Sequence, residues 1–287
     1  MLKDCDSIQT KNGDFYIVKG YYQPEHCVYA TKTFKADPWG DRENDNGLKY
    51  KKVSGDVVVK VPRAEIKEII LPEESKTKDQ LWGVWQTIYE TCRQIGIAET
   101  DIGIFGSGLL GFPLVKDVDF IVYGPQARTL LRQNIGLLKD KVLGGISDQH
   151  IAYQVNKYAE YHNPNHSNFQ AIYKNKWSSL QITPTVLSTI RFGYRLRSQI
   201  PPELIFDPDQ KGDTRETVGI VTGNNYCDYT PRVFEIITEK NKSIWVKTLF
   251  WSYQSCVNTG DKIKVKGVKN ETGVYLTQYD HGIIIGK

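Results

Sequence analysis

The sequence predicts an α+β protein with three segments, 1–72, 73–212 and 213–287. Short period-two apolar patterns fill the first and last segments, whereas helical and strand patterns alternate in the middle one. The chain has 287 residues, of which 40% are hydrophobic and 24% charged. This composition is typical of a globular chain, and this length is sufficient for two or three domains.

Segment 1–72 has the pattern of a small β module. Phe15–Val18 follows an Asn12-Gly13 turn, which is a strong hairpin signal. Two further strand patterns flank Ser54-Gly55. Lysines and tyrosines of this module could contact a polyanion, but solvated strand faces are the simpler interpretation.

A helix is predicted over Ser75–Gly96. Ser75 or Thr77 could cap its start, and Gly96 ends it. The apolar positions recur at alternating steps of four and three: Leu81, Trp85, Ile88, Cys92 and Ile95.

The middle segment carries the most informative motif. A strand pattern over 102–105 precedes Gly106-Ser107, and a second strand pattern begins with Asp117 and Asp119. Because strand side chains alternate between faces, the two carboxylates are expected on one face, where they repel each other. A divalent cation that prefers oxygen ligands, Mg²⁺ or Mn²⁺, would relieve this repulsion. Gly106 and Ser107, near an expected helix start, could hold phosphate.

Gly106-Ser107, a spacer and Asp117-x-Asp119 between apolar residues resemble the signature of the nucleotidyltransferase superfamily. More loosely, the whole chain resembles multidomain nucleotidyltransferases of archaea and cyanobacteria with a C-terminal barrel. The resemblance implies a central mixed sheet with helices. It also implies transfer of a nucleoside monophosphate from a nucleoside triphosphate to a hydroxyl of an RNA end or a protein.

The resemblance also assigns roles to residues. Asp117 and Asp119 would bind the metal and be catalytic, and Gly106 and Ser107 would hold the β- and γ-phosphates. Lys116 or Arg128 would add positive charge near the triphosphate, although a solvated helix face is the simpler interpretation of Arg128.

The sequence departs from the family at the third carboxylate, which the family places on a later strand. Gln181 and Arg191 occupy the strand patterns where an acid is expected. Two readings therefore stay open: an active enzyme, and an inactive fold that binds nucleotide or nucleic acid. An assembly protein is a third, weaker class.

Beyond the proline-rich stretch 201–213, predicted to be a linker, the pattern is strictly β. Lys262–Lys266 alternates lysine with apolar residues, which predicts one basic and one buried face. Five or six short strands in about seventy residues resemble an OB-like barrel, a fold that often binds single-stranded nucleic acid. Aromatic residues could stack on bases or fill the barrel core: Tyr226, Tyr229, Trp245, Phe250, Trp251 and Tyr253.

Charge and cysteine content bear on the binding partners and the cellular location of the protein. The net charge of +4 is compatible with nucleic acid but does not indicate it. Five widely spaced cysteines form no Cys-x-x-Cys pair, and no apolar run approaches membrane-spanning length. A cytoplasmic protein without a membrane partner is expected, and the oligomeric state is left open.

Overall fold

The structure is a computed structural model that describes residues 2–53, 57–75, 79, 81–112, 118–159, 168–183, 186–278 and 280–286. The fold is mixed α+β, as predicted. The chain divides into two compact units, 1–145 with 178–200, and 146–177 with 201–287. These boundaries do not coincide with the segment limits at 72/73 and 212/213, and each unit is described by itself below.

The first unit begins with a seven-stranded sheet. Its strands are β1 Ser7–Thr10, β2 Phe15–Val18, β3 Cys27–Ala36, β4 Arg42–Glu43, β5 Lys49–Lys52, β6 Val59–Pro62 and β7 Ile66–Ile70. The predicted hairpin at Asn12-Gly13 is confirmed, since β1 and β2 pair antiparallel and Gly13 has a φ of +90°. Ser54 and Gly55, of the second predicted turn, lie outside the described residues.

This sheet curls because its last two strands pair at different places. β6 pairs with β3, whereas β7 pairs with β1 on the far side of the sheet, and only the 3₁₀ turn Arg63–Glu65 separates them. The enclosed core consists of small aliphatic side chains: Leu2, Ile8, Val18, Val28, Ala30 and Val61.

A four-stranded sheet completes the first unit. Its strands are β8 Ile102–Phe105, β9 Asp119–Tyr123, β10 Ser179–Thr183 and β11 Val186–Gly193, in the order β10-β11-β9-β8. β9 and β11 are parallel, and the other neighbours are antiparallel. The helices of this unit are α1 Gly83–Gln94, α2 Pro125–Gln133 and α3 Ile135–Lys139.

The predicted start of the first helix was wrong. α1 begins at Gly83, eight residues after Ser75, and Thr77 lies outside the described residues. Gly83 has a φ of +56°, in the left-handed region, so a right-handed helix cannot continue through it toward the N-terminus. The predicted stop is confirmed, because Ile95 caps α1 and Gly96 has a φ of +94°.

The second unit contains a closed five-stranded barrel. Its strands are β12 Asp213–Tyr226, β13 Arg232–Thr238, β14 Ser243–Thr248, β15 Lys262–Lys269, β16 Gly273–Leu276 and β17 Gly282–Ile285. The order β12-β13-β14-β16-β15 closes through pairing of β12 with β15, and β17 adds to β15. All six predicted strands are present, and β14 and β16 are parallel.

Two helices, α4 Asp148–Ala159 and α5 Phe169–Lys174, belong to the barrel unit. Ile151, Phe169 and Ile172 are buried in one cluster with barrel residues such as Phe234 and Val246. Burial of these side chains explains why the unit takes in helices from the predicted middle segment.

Candidate functional site

The candidate site lies where β8 ends and β9 begins. Phe105, the last residue of β8, is the cross-strand partner of Asp119, the first residue of β9. Asp119 is half-buried, and Val118 before it is fully buried. The strand pairing therefore holds the Asp119 carboxylate beside the turn that leaves β8.

Gly106 approaches this carboxylate closely. The glycine has a φ of +70°, a left-handed backbone that a residue with a Cβ atom adopts at a cost. A Cβ atom placed on it would lie 3.3 Å from Asp119 Oδ2. The structure thus brings together two residues that the motif had only placed in sequence.

Within the described residues after Ser107, which extend to 112, no helix starts, and residues 106–111 form turns. The backbone amides of Leu110 and Phe112 donate to the Ser107 carbonyl at 3.2 and 3.3 Å. Leu110 and Phe112 are buried against Phe15, Phe34 and Tyr50 of the N-terminal sheet, and this packing stabilises a compact turn instead of a helix. Phosphate binding here would use the turn's backbone, not a helix dipole.

Lys116 and Asp117 lie outside the described residues, which end at 112 and resume at 118. The predictions that Asp117 shares a face with Asp119, and that Lys116 adds charge there, stay predictions. Arg128 is half-buried in α2, which begins two residues after β9 ends, at the end of β9 opposite to Asp119. Its predicted contact with phosphate also stays a prediction.

The strand next to β9 carries a cation on the face where the resemblance implies a third carboxylate. Phe120 pairs with Ile190 and Ile121 with Arg191, so strand alternation puts Arg191 on the face of Asp119. Within the described part of the chain, no three His, Cys, Asp or Glu side chains converge on a possible metal position. The described donor set therefore fits one carboxylate ligand for Mg²⁺, Asp119, with the motif supplying Asp117 as the second.

A buried charge network next to this sheet was not foreseen. Lys3 Nζ lies 2.7 Å from Asp6 Oδ1 and 2.9 Å from Glu73 Oε1. Glu73 Oε2 in turn accepts a hydrogen bond of 3.0 Å from the Tyr123 hydroxyl at the end of β9. The network ties the N-terminal segment to the strand that carries Asp119. Its residues span 120 positions of the sequence, from Lys3 to Tyr123, so no local pattern could reveal it.

Burial sets the ionisation of this network. Burial raises the pKa of Asp6 to about 6, although Lys3 opposes the rise. Burial by itself lowers the pKa of Lys3. The nearby carboxylates Asp6 and Glu73 raise it by more than burial lowers it, so the pKa of Lys3 lies above its usual value. Burial also raises the pKa of the Tyr123 hydroxyl, which therefore acts as a hydrogen-bond donor at neutral pH.

On the C-terminal barrel, the aromatic residues that could stack on bases or fill the core fall into two groups. Tyr229, Phe250 and Tyr253 are at most 4% exposed, and the last two belong to the barrel core. Tyr226, Trp245 and Trp251 are half-buried. The basic and buried faces of Lys262–Lys266 are confirmed, since Ile263 and Val265 are buried while the lysines are not.

The outer face of the barrel is partly covered by residues 201–206, here called the strap. Val233, Lys247 and Tyr275 are cross-strand neighbours on β13, β14 and β16. Lys247 Nζ donates to the Glu203 carbonyl at 2.9 Å, and the Phe206 ring lies 5.7 Å from that of Tyr275. Burial lowers the pKa of Lys247. The predicted linker is therefore, in this part, a packed element of the barrel unit.

Comparison of the chain with protein-family models, with curated proteins and with solved structures gave no match. Among the described helices, none combines the length and apolarity needed to span a membrane.

Proposed function

We propose that this protein transfers a nucleoside monophosphate from a nucleoside triphosphate to a hydroxyl acceptor, an RNA end or a protein, with Mg²⁺ or Mn²⁺. The observation that carries the proposal is the approach of Asp119 Oδ2 to Gly106, 3.3 Å from a Cβ position there. A metal-binding carboxylate beside an open backbone turn is the arrangement that a metal-bound triphosphate needs.

In this proposal each motif residue has one task. Asp117 and Asp119 hold the metal, which when bound screens the phosphates and orients the attack on the α-phosphorus. The turn at Gly106 and Ser107 holds the β- and γ-phosphates. Because Gly106 lacks a Cβ atom, the phosphates can approach its backbone closely. Lys116 or Arg128 adds positive charge, which stabilises the pyrophosphate leaving group.

A second candidate is a non-catalytic module that binds nucleotide or nucleic acid. It is favoured by Arg191, a cation on the Asp119 face of β11 where the resemblance implies an acid, and by the neutral Gln181 on β10. A cation there would attract phosphate but could not ligate a second metal ion. Both candidates need Asp119, so only turnover separates them.

For the second unit we infer an OB-like barrel. The strand order β12-β13-β14-β16-β15, the closure onto β12 and the parallel β14–β16 pair support this. The prediction that this barrel binds single-stranded nucleic acid is weakened on its β13–β14 face, where the strap covers Val233 and Lys247. We also propose a cytoplasmic location, which is compatible with the proposed use of a nucleoside triphosphate.

Turnover is the decisive experiment. The full chain is incubated with each radiolabelled nucleoside triphosphate, Mg²⁺ or Mn²⁺, and a pool of short RNAs and proteins. Asp119→Asn is expected to lower label transfer at least about 100-fold, because the metal loses a charged ligand. Asp140→Asn, an exposed carboxylate after α3, is the matched control and should retain the rate. Nucleotide binding without label transfer in the unaltered chain would contradict the enzyme and favour the binding module.

A further inference from the structure

The two lysine-rich strand faces of this protein differ in how their charges are neutralised. On the barrel, Lys264 Nζ lies 3.4 Å from Glu216 and Lys266 Nζ lies 3.3 Å from Asp280. On the N-terminal sheet, Lys35, Lys49 and Lys51 are exposed, and none of them forms an ion pair with any described residue. Lys262 on the barrel strand is also exposed, but two of its three lysines are ion-paired, whereas all three lysines of the N-terminal face lack an ion pair with a described residue.

These three lysines share one face of the strands β3 and β5. Lys35 is the direct cross-strand partner of Lys51, and Lys49 is two residues from Lys51 on the same strand. Like charges placed directly opposite destabilise a sheet unless an anion lies between them. Glu43 is opposite Lys49, and Asp37 adjoins Lys49 on the other side, since its amide donates to the Lys49 carbonyl at 3.1 Å. The three lysines and two acids together carry an excess of one positive charge.

An exposed indole lies in the same hairpin as these lysines. Trp39 is 93% exposed, in the turn between β3 and β4. The turn is fixed, because the Trp39 amide donates to Asp37 Oδ1 at 2.9 Å and Gly40 packs against the backbone of Tyr50. Tyr50 lies between Lys49 and Lys51. A ring exposed to this extent, in the same hairpin as lysines that form no ion pair with a described residue, is suited to stack on a base whose phosphates contact the lysines.

The same hairpin is anchored to the Gly-Ser turn of the candidate site. The Asp45 amide donates to the Gly111 carbonyl at 3.1 Å. The Phe112 ring lies 5.4 Å from the ring of Tyr50 and 4.6 Å from that of Phe34. Phe112 also donates its amide to Ser107, so the surface and the proposed phosphate turn form one packed assembly.

We propose that Lys35, Lys49, Lys51 and Trp39, here called the hairpin face, bind a single-stranded nucleic acid and hold its end as the acceptor. This inference rests on the proposed function, because it names the acceptor class of the same site. It assigns nucleic acid to the N-terminal sheet instead of the C-terminal barrel. Phosphates contact the three lysines, and a base stacks on Trp39.

The salt dependence of binding tests the lysines. Fluorescence anisotropy is measured with a short labelled oligouridylate, and with its deoxythymidylate counterpart to distinguish RNA from DNA. The Lys35→Gln/Lys49→Gln/Lys51→Gln variant should reduce the slope of log affinity against log salt concentration by about 2, since each single-strand phosphate contact contributes about 0.7. The matched control on the barrel, Lys262→Gln/Lys264→Gln/Lys266→Gln, should leave the slope unchanged. All six positions lie on solvent-facing strand surfaces, and thermal melting checks that both variants fold.

Single substitutions test the Trp39 ring and the Glu43 carboxylate. Trp39→Ala should weaken oligonucleotide binding roughly tenfold, the loss expected for one stacked base. Trp82→Ala is the matched control, since Trp82 is 58% exposed at the start of α1 and should leave the affinity unchanged. Glu43→Gln removes the acid opposite Lys49 and should strengthen binding.

Three results would overturn the inference: no oligonucleotide binding by the unaltered chain, equal affinity and slope in the hairpin-face variant, or preferential binding to vesicles of anionic phospholipid. Asp119→Asn should keep the oligonucleotide affinity. Oligonucleotide binding by the unaltered chain without label transfer therefore contradicts the proposed reaction but not the role of the hairpin face. Turnover on RNA that persists in the hairpin-face variant contradicts the hairpin face alone.

Discussion

Asp6 offers a quantitative test of the buried charge network. Its side chain is fully buried, and its carboxylate accepts from Lys3 Nζ at 2.7 Å and from the Lys3 backbone amide at 2.9 Å. Burial raises its pKa from 3.8 to about 6, because the low dielectric penalises the ionised form more than Lys3 stabilises it. The perturbation is Asp6→Asn, which keeps the shape and removes the titration.

The direction in which the free energy of unfolding changes with pH follows from proton binding to Asp6. Between pH 3.8 and about 6, the folded chain keeps a proton on Asp6 that the unfolded chain releases. The contribution of Asp6 to stability is therefore fully present below this window and is lost as the pH rises through it. A rise of about 2 units corresponds to about 3 kcal/mol, at about 1.4 kcal/mol per unit. The free energy of unfolding of the unaltered chain, minus that of Asp6→Asn, should fall by about 3 kcal/mol across the window and be constant above it.

Urea denaturation at a series of pH values measures this difference. Hydrogen exchange of peptides containing β1 and β2 assigns the unfolding to the first unit, which is needed because two units need not unfold together. Lys3→Met is a second variant: since Lys3 opposes the rise, removing it should move the upper limit of the window to higher pH. A difference curve that is flat, or that rises with pH, would refute the burial argument.

Three further outcomes are expected. Gly106→Ala should lower the free energy of unfolding by about 1–2 kcal/mol, because the backbone of Gly106 is left-handed. Its Cβ would lie 3.3 Å from Asp119 Oδ2, so it should also lower nucleotide affinity in a titration with fluorescent nucleotide. Phe234→Ala, fully buried in the barrel, should cost about 3–5 kcal/mol in urea denaturation of the second unit. Leu204→Ala, fully buried in the strap, should cost about 2–5 kcal/mol and speed protease cleavage within 201–212.

Each of these outcomes has a contrary result. Gly144→Ala shares the left-handed backbone, with a φ of +102°, but meets no atom within 4 Å. If it weakens nucleotide binding as much as Gly106→Ala, the contact with Asp119 is not the cause. Unchanged barrel stability in Phe234→Ala would contradict the described core. If Leu204→Ala leaves cleavage and stability unaltered, the strap is a linker after all.

Local patterns in the sequence predicted several elements correctly. The Asn12-Gly13 hairpin and the six barrel strands follow from turn residues and from period-two alternation, which depend on neighbours along the chain. The juxtaposition of the Gly106 turn and Asp119 also matched the motif order, because a strand, a turn and a returning strand bring their ends together. Asp117 was part of the same prediction and lies outside the described residues.

Predictions that depended on distant contacts were less successful. Residues after Ser107 looked able to start a helix, but burial of Leu110 and Phe112 against the N-terminal sheet stabilises turns instead. For Phe250 and Tyr253 the sequence left open both stacking on bases and filling the barrel core, and the structure places both rings in the core. Pro201-Pro202 looked like a linker, although the strap that they open packs on the barrel.

The sequence by itself determined the α+β class, the strands of the barrel and the order of the motif, since alternation and turn chemistry are local properties of the chain. The tertiary structure decided which lysines are neutralised, which aromatic rings are buried and how Lys3, Asp6, Glu73 and Tyr123 meet. These features depend on residues far apart in sequence, whose contacts exist only once the sheets have formed. Burial then fixes their charge states, because the cost of ionisation depends on the surrounding dielectric and not on the neighbouring residues in the chain.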